Sequence, residues 1–303
     1  MEKKRFYIGV DCEGVACAVG IPGQNLGDGE NYAFAARQAT READAAARAL
    51  FDMGAEEVIV WDNHHSGVNL DYGLLDPRCK ILLGSGHHGR FPRIDESFGG
   101  VLFIGYHARE GSRPAVLAHT YSSAAYHRYS INGTPVGEME IDAAFAGKAG
   151  VPVIFAASDD IGAAQARESF PWAETVATKE ALSWTSAISL HPQESCRRIY
   201  EGVKKPARVF LRCSHSPSRN RWTFLSALNA WMQPTPPSST IRIGSPSVLQ
   251  TPLPVKERFR NWRICSTKLK PSAFSRAFWF FFTLHFQCSR SIIWKEYEQE
   301  MKE

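Results

Sequence analysis

Two kinds of apolar pattern alternate along the first two-thirds of the chain. Short, nearly unbroken apolar runs recur at residues 5–11 (RFYIGVD), 56–62 (EEVIVWD), 79–85 (CKILLGS), 100–107 (GVLFIGYH) and 151–159 (VPVIFAASD). Runs of that length, rich in Val, Ile and Phe, predict β-strands covered on both faces. Between them lie helical patterns. Residues 31–54 (NYAFAARQATREADAAARALFDMG) predict a long Ala-rich helix with Gly54 as its stop. Residues 140–150 predict a second helix, and residues 191–205 a third, with Pro192 near its start. Residues 128–138 (RYSINGTPVGE) carry the Asn132–Gly133 pair of a tight hairpin. Strands separated by helices predict an α/β fold with a mainly parallel sheet flanked by helices. Active-site groups gather at the carboxyl ends of strands in such sheets. That is where Asp11, Asp62, His107 and Asp159 fall.

The pattern dissolves after about residue 205, and composition changes with it. Residues 206–303 hold 15 Lys and Arg against 5 Glu and no Asp, a net charge of +10. Residues 1–205 hold 20 basic and 26 acidic groups, a net charge of −6. The last 98 residues contain one Gly, Gly244, although Gly and Asp ordinarily punctuate turns. This divides the chain into an α/β domain, 1–205, and a basic, Ser/Pro/Arg-rich region, 206–303, expected to be irregular. A disordered basic tail fits the charge, but the run AFWFFFTL is too apolar for one. A lost reading frame between about residues 203 and 215 fits both, and resequencing that stretch of the gene tests it. A tail of basic and aromatic residues could also hold single-stranded RNA, but no RNA-binding motif accompanies it, so no nucleic-acid partner is expected.

The 44% hydrophobic and 22% charged content fits a globular protein with a sizeable core. No apolar stretch is long enough to span a bilayer comfortably, and no membrane partner is expected. Seven cysteines at irregular spacing, with no signal-peptide pattern at the start, predict reduced thiols in a cytoplasm.

The stretch VDCEG, residues 10–14, poses the chemical question. Side chains two apart on a strand point the same way, so Asp11 and Glu13 would share a face. Two like charges that close need a cation, a shared proton or open water. The same part of the chain offers His64 and His65 (WDNHHSG), His87 and His88 (LGSGHHG), His107 (FIGYHAR), His119 (VLAHTYS) and Glu138 (PVGEME). Histidines and carboxylates at the ends of different strands suit zinc or a similar divalent ion. Each also has a plain structural reading. Adjacent loop histidines are commonly solvated, a buried histidine can simply bond to backbone, and a carboxylate in a first helical turn is favoured by the dipole.

The order of these pieces narrows the choice. Asp-x-Glu-Gly after the first strand, Asp-x-His after the second, Gly-Tyr-His-Ala after the fourth, then His-Thr and Asn-Gly-x-Pro-Val-Gly-Glu together resemble the D-aminopeptidase family of binuclear zinc peptidases, over about residues 5–205. The resemblance implies two zinc ions per chain, with Asp11 bridging them and Glu13, His64, His107 and Glu138 as the other ligands. It implies that His119 is the catalytic histidine, as nucleophile, general base or oxyanion stabiliser. It also implies hydrolysis of N-terminal D-amino acids, D-alanine above all, from short peptides, in a homo-oligomer that forms a large ring. His65, His87, His88 and His127 match no ligand of the family and are expected at the polar surface. Asp62 is expected to orient His64 by accepting its second N–H. The alternatives are another binuclear-metal hydrolase, an amidohydrolase or phosphoesterase, although no glycine-rich phosphate loop is present, or an inactive family member disabled by its altered C-terminal region.

Overall fold

A computed structural model of the chain describes residues 3–22, 24–27, 29–122, 126–131 and 133–205. The irregular character expected of residues 206–303 lies outside the described residues. Strands β1 (Arg5–Val10), β2 (Glu57–Asp62), β3 (Lys80–Leu82), β4 (Phe98–Ile104), β7 (Val153–Asp159), β8 (Glu174–Ser183) and β9 (Ser186–Ser189) form one sheet in the order β3-β2-β1-β4-β7-β8-β9. All neighbours are parallel except β8 and β9. The two-residue strands β5 (Ser130–Ile131) and β6 (Thr134–Pro135) pair antiparallel about the expected hairpin. Helices α1 (Glu30–Asp52), α2 (Glu138–Lys148), α3 (Asp160–Ser169) and α4 (Pro192–Lys204) complete the α/β fold.

The helices cover both faces of the sheet. On one face, Ala39, Ala43 and Ala46 of α1 and Ile199 and Val203 of α4 bury Ile8, Val10, Val60 and Ile104. Small alanines let the long helix lie close to the strands. On the other face, Met139, Ala143 and Ala146 of α2 and Ala166 of α3 bury Tyr7, Val101 and Phe103. Alternate residues of each strand therefore serve opposite layers, and the strands read as continuous apolar runs because neither face is wet.

The strand order sets the position of the site. From β1 the chain steps outward to β2 and β3, then returns to place β4 on the other side of β1. Crevices open at such reversals, outside the carboxyl ends of the strands. Val10 stands beside Asp62 of β2 and Ile104 of β4 in register. The loops beginning at Asp11, Asn63 and Gly105 therefore leave the sheet side by side.

Candidate metal centre

The loop after β1 is fastened to the loop after β4 through backbone. Asp11 N donates to Ile104 O at 2.8 Å, and Gly14 N to Gly105 O at 2.7 Å. The Cys12 N–H lies between the two buried carboxylates, 2.9 Å from Asp11 Oδ1 and 3.3 Å from Glu13 Oε2. His64 faces both, with Nδ1 2.7 Å from Asp11 Oδ1 and 3.2 Å from Glu13 Oε2.

His107 leaves the end of β4 and is buried. Its Nδ1 lies 3.0 Å from the Ala108 carbonyl. A carbonyl only accepts, so Nδ1 carries a proton and Nε2 is left facing the site. That Nε2 is 3.3 Å from Glu138 Oε1 and 3.6 Å from Asp11 Oδ2, yet it makes no aligned hydrogen bond. Glu138 opens α2, and its Oε1 accepts from Tyr121 N at 2.8 Å. The His119 ring stacks on His107, with centroids 3.8 Å apart and planes 14° apart. Its Nδ1 is tied to Leu117 O at 2.7 Å, and its Nε2 is 3.8 Å from Glu138 Oε1.

All six residues named from the sequence thus gather at one end of the sheet. Ligand atoms of five of them form two groups that share His107, namely Asp11, Glu13 and His107, and His107, His119 and Glu138, each with atoms within 4.8 Å of one another; His64 lies outside both groups, against Asp11 and Glu13. His119, expected from the motifs as the catalytic histidine and not as a ligand, stands among the possible ligand atoms.

Electrostatics follow from burying three acids beside three histidines. Burial and then the Glu13 charge push the Asp11 carboxyl up to about 7. Burial also works against the Glu13 anion, but His64, followed by His107 and His119, outweighs it and holds that carboxyl well below its ordinary value. Burial opposes a charged His107, yet Glu138, Asp11 and Glu13 raise it to about 10. Burial likewise opposes the Glu138 anion, and His107 overcomes it, holding Glu138 at about 2. His119 goes the other way: burial and then the His107 charge pull its pKa down.

This donor set fits zinc. It offers only imidazole nitrogen and carboxylate oxygen, the ligand types zinc takes. The buried, unbonded Nε2 of His107 aims between two carboxylates, where a cation would satisfy all three. A proton shared with Glu138 or Asp11 is the next best neutralisation.

The other candidate residues take a range of places. Asp62 does not orient His64. Its carboxylate accepts from Asn69 N and Nδ2, both at 2.6 Å, from Leu70 N at 2.9 Å and from Tyr72 OH at 3.0 Å. It anchors the loop behind His64, whose carbonyl accepts from Asn69 Nδ2. Asp159 caps α3 through Gly162 N and also accepts from Val116 N. His65, His88 and His127 are exposed, and His87 lies edge-on to Trp61. Trp61 itself is buried between Phe91 and the Arg90 guanidinium.

Two residues of the site's support were not singled out in the sequence. Lys179 on β8 and Glu42 on α1 are both buried and both grip the loop that carries Asp11 and Glu13. Their signal was a charge at an apolar position: Glu42 sits among the alanines that face the sheet, and Lys179 interrupts a strand.

Comparison with known proteins places the whole α/β region among D-aminopeptidases. A D-aminopeptidase of Bacillus subtilis (strain 168) is 34% identical over 200 residues, which is 65% of this chain and 71% of that one. Among solved structures, the "Zn-dependent D-aminopeptidase DppA from Bacillus subtilis, a self-compartmentalizing protease" matches with a TM-score of 0.61 and 31% identity, covering 66% of this chain and 72% of that one. The D-aminopeptidase family profile matches residues 4–224, past the compositional boundary at 205. That match spans well over half of the sequence, so this chain belongs to the D-aminopeptidase family.

Proposed function

We propose that the protein is a zinc-dependent aminopeptidase that removes N-terminal D-amino acids, D-alanine-like, from short peptides. Asp11, Glu13, His64, His107 and Glu138 would hold two zinc ions, and His119 would be the catalytic side chain. The observation that carries this reading is the buried His107 Nε2, directed at Asp11 and Glu138 with no aligned hydrogen bond. When bound, such ions polarise the scissile carbonyl and lower the pKa of water towards about 7.

The chain's own groups divide the remaining work. Three carboxylates supply the negative charge that makes the crevice attractive to cations. The Leu117 carbonyl holds the His119 Nδ1 proton, so Nε2 is the atom that can accept or attack. The lowered pKa of His119 keeps it neutral at pH 7, as either role requires. Its side chain is also the more accessible of the stacked pair, 16% exposed against 1% for His107. A substrate approaching the crevice therefore meets His119 first, while His107 is a fixed wall.

Support for D-amino-acid specificity and for assembly into a homo-oligomer comes from the named relatives. Among the described residues, no helix is long and apolar enough to cross a membrane.

The test is hydrolysis of D-alanyl and L-alanyl p-nitroanilides beside a phosphomonoester, before and after chelation. Turnover of the D-anilide alone, lost with chelator and restored by zinc, is expected. Preference for the L-anilide or the phosphomonoester would overturn the reading.

A further inference from the structure

Lys179 lies in β8, 2% exposed, a rare place for an unpaired ammonium. Its Nζ lies 2.5 Å from Glu13 O, 2.7 Å from Val15 O and 2.5 Å from Ala18 O. An ammonium has three N–H groups, and here each ends on a carbonyl of the same loop. The preceding residue joins in: Thr178 Oγ1 is 2.6 Å from Gly14 O. From α1, the buried Glu42 grips the same loop by its N–H side, accepting from Ala16 N at 3.0 Å. Gln38 Nε2 at 3.0 Å and Ser195 Oγ at 2.8 Å hold that Glu42 oxygen in turn.

The loop that leaves β1 has no helix or strand of its own to fix it. Without Lys179 the Glu13 and Ala18 carbonyls would lose this partner in a dry interior, a costly arrangement, while Val15 O would keep only the N–H of Ala18 at 3.3 Å. The carbonyl of Glu13 ends on Lys179 while its side chain lies against His64, so the backbone of this residue is pinned where its carboxylate must be aimed.

We infer that Lys179, with Thr178 and Glu42, is a positioning clamp that presents the Asp11 and Glu13 carboxylates in ligand geometry. The inference rests on the metal-site reading above. Lys179 touches no reacting atom and acts through the backbone of residues 13–18.

The test measures zinc affinity of the chelator-stripped full chain by competition with a chromophoric chelator, for wild type, Lys179→Met and Thr178→Val. Ile199→Ala, a cavity in the α4 packing away from the loop, shows what general destabilisation does. Thermal melts of the metal-free proteins match the variants for stability. Lys179→Met is expected to weaken zinc binding by about 10- to 100-fold, the range for groups that orient ligands. Thr178→Val should weaken it less, and Ile199→Ala should lower the melting temperature with affinity unchanged. Should Lys179→Met fail to fold, Thr178→Val decides alone. Wild-type affinity in the folded clamp variants, or an equal loss in Ile199→Ala, would overturn the clamp alone. Wild-type protein that binds no zinc would overturn the metal reading and the clamp with it.

Discussion

Gly14, the last residue of the Asp-x-Glu-Gly motif, offers a sharp perturbation. A Cβ built on it would lie 1.9 Å from Tyr106 O and 2.8 Å from Gly105 C and O. These are backbone atoms, so no side-chain rotation relieves the overlap. Reaching even 3.0 Å, still tighter than ordinary contact, moves the two loops apart by roughly an ångström. One loop carries Asp11 and Glu13, the other His107, and the present Asp11 Oδ2 to His107 Nε2 separation is 3.6 Å. The 2.7 Å bond from Gly14 N to Gly105 O stretches with them. Gly14→Ala is therefore predicted to cost about 1–3 kcal/mol of stability, the usual range for overpacking. Its turnover should fall by about 100-fold, since displacements near 1 Å cost that much. Urea denaturation, zinc content and D-alanyl anilide hydrolysis read these effects. Gly73→Ala is the control, because its added Cβ meets only Asp71 Oδ1 at 3.6 Å. Gly14→Ala protein with wild-type zinc content and turnover would refute the argument that the glycine sets the loop spacing.

Three further predictions follow from the site and its surroundings. His119→Ala should retain the wild-type zinc content and lose about 10²- to 10⁴-fold in kcat, the worth of a proton-transferring or attacking group; a fall in zinc content would make His119 a ligand instead. Arg90→Met removes the partner that holds the fully buried Asp142 through bonds of 2.6 and 2.7 Å. It should destabilise the protein by about 3 kcal/mol, the low end for an orphaned buried charge, because Tyr106 OH still donates to Asp142; denaturation within 1 kcal/mol of wild type would contradict it. The metal-free protein should lose stability from pH 5 to pH 9. His107, raised to about 10, contributes most below its unfolded value near 6.5 and loses that contribution as pH rises toward 10. Asp11, raised to about 7, favours the folded state when protonated and loses that contribution between about 4 and 7. Thermal melts across this range should fall steeply without zinc and much less with it; equal slopes would show that the cluster does not exchange protons for metal.

Much of the architecture was legible because the sheet is buried on both faces. β1, β2, β4 and β7 appear in the sequence as apolar runs ending in Asp or just before His, and the alanine spacing of α1 marks a face packed on strands. β8 was not read, because Thr178 and Lys179 turn inward to bond carbonyls where an apolar pattern would have continued. α3 escaped for a related reason: it begins directly at Asp160, leaving no loop between it and β7 to announce it. α2 starts at Glu138, two residues before the expected helix, which places that carboxylate at the helix's first turn as well as in the cluster.

The site was legible as a set of motifs but not as a network. Motif order could place Asp11, His64 and His107 at neighbouring strand ends. It could not show that the Asp62 carboxylate turns to residues 69–72, nor that His107 Nδ1 is spent on its own neighbour's carbonyl. Those partners come from loops whose paths depend on the whole fold. Glu42 and Lys179 make the same point from the core, where a charged residue has meaning only once the backbone it grips is known.

Everything proposed for the site rests on five converging side chains, Asp11, Glu13, His64, His107 and Glu138, holding two zinc ions beside His119. Calorimetric titration of zinc into the chelator-stripped full-length protein, with His107→Ala alongside, tests it most directly. The prediction is two zinc ions per wild-type chain, with protons released on binding, and fewer than two in His107→Ala, which removes the atom common to both ligand groups. A folded wild-type protein that binds no zinc, or a His107→Ala variant that still binds two with unchanged affinity, would contradict it.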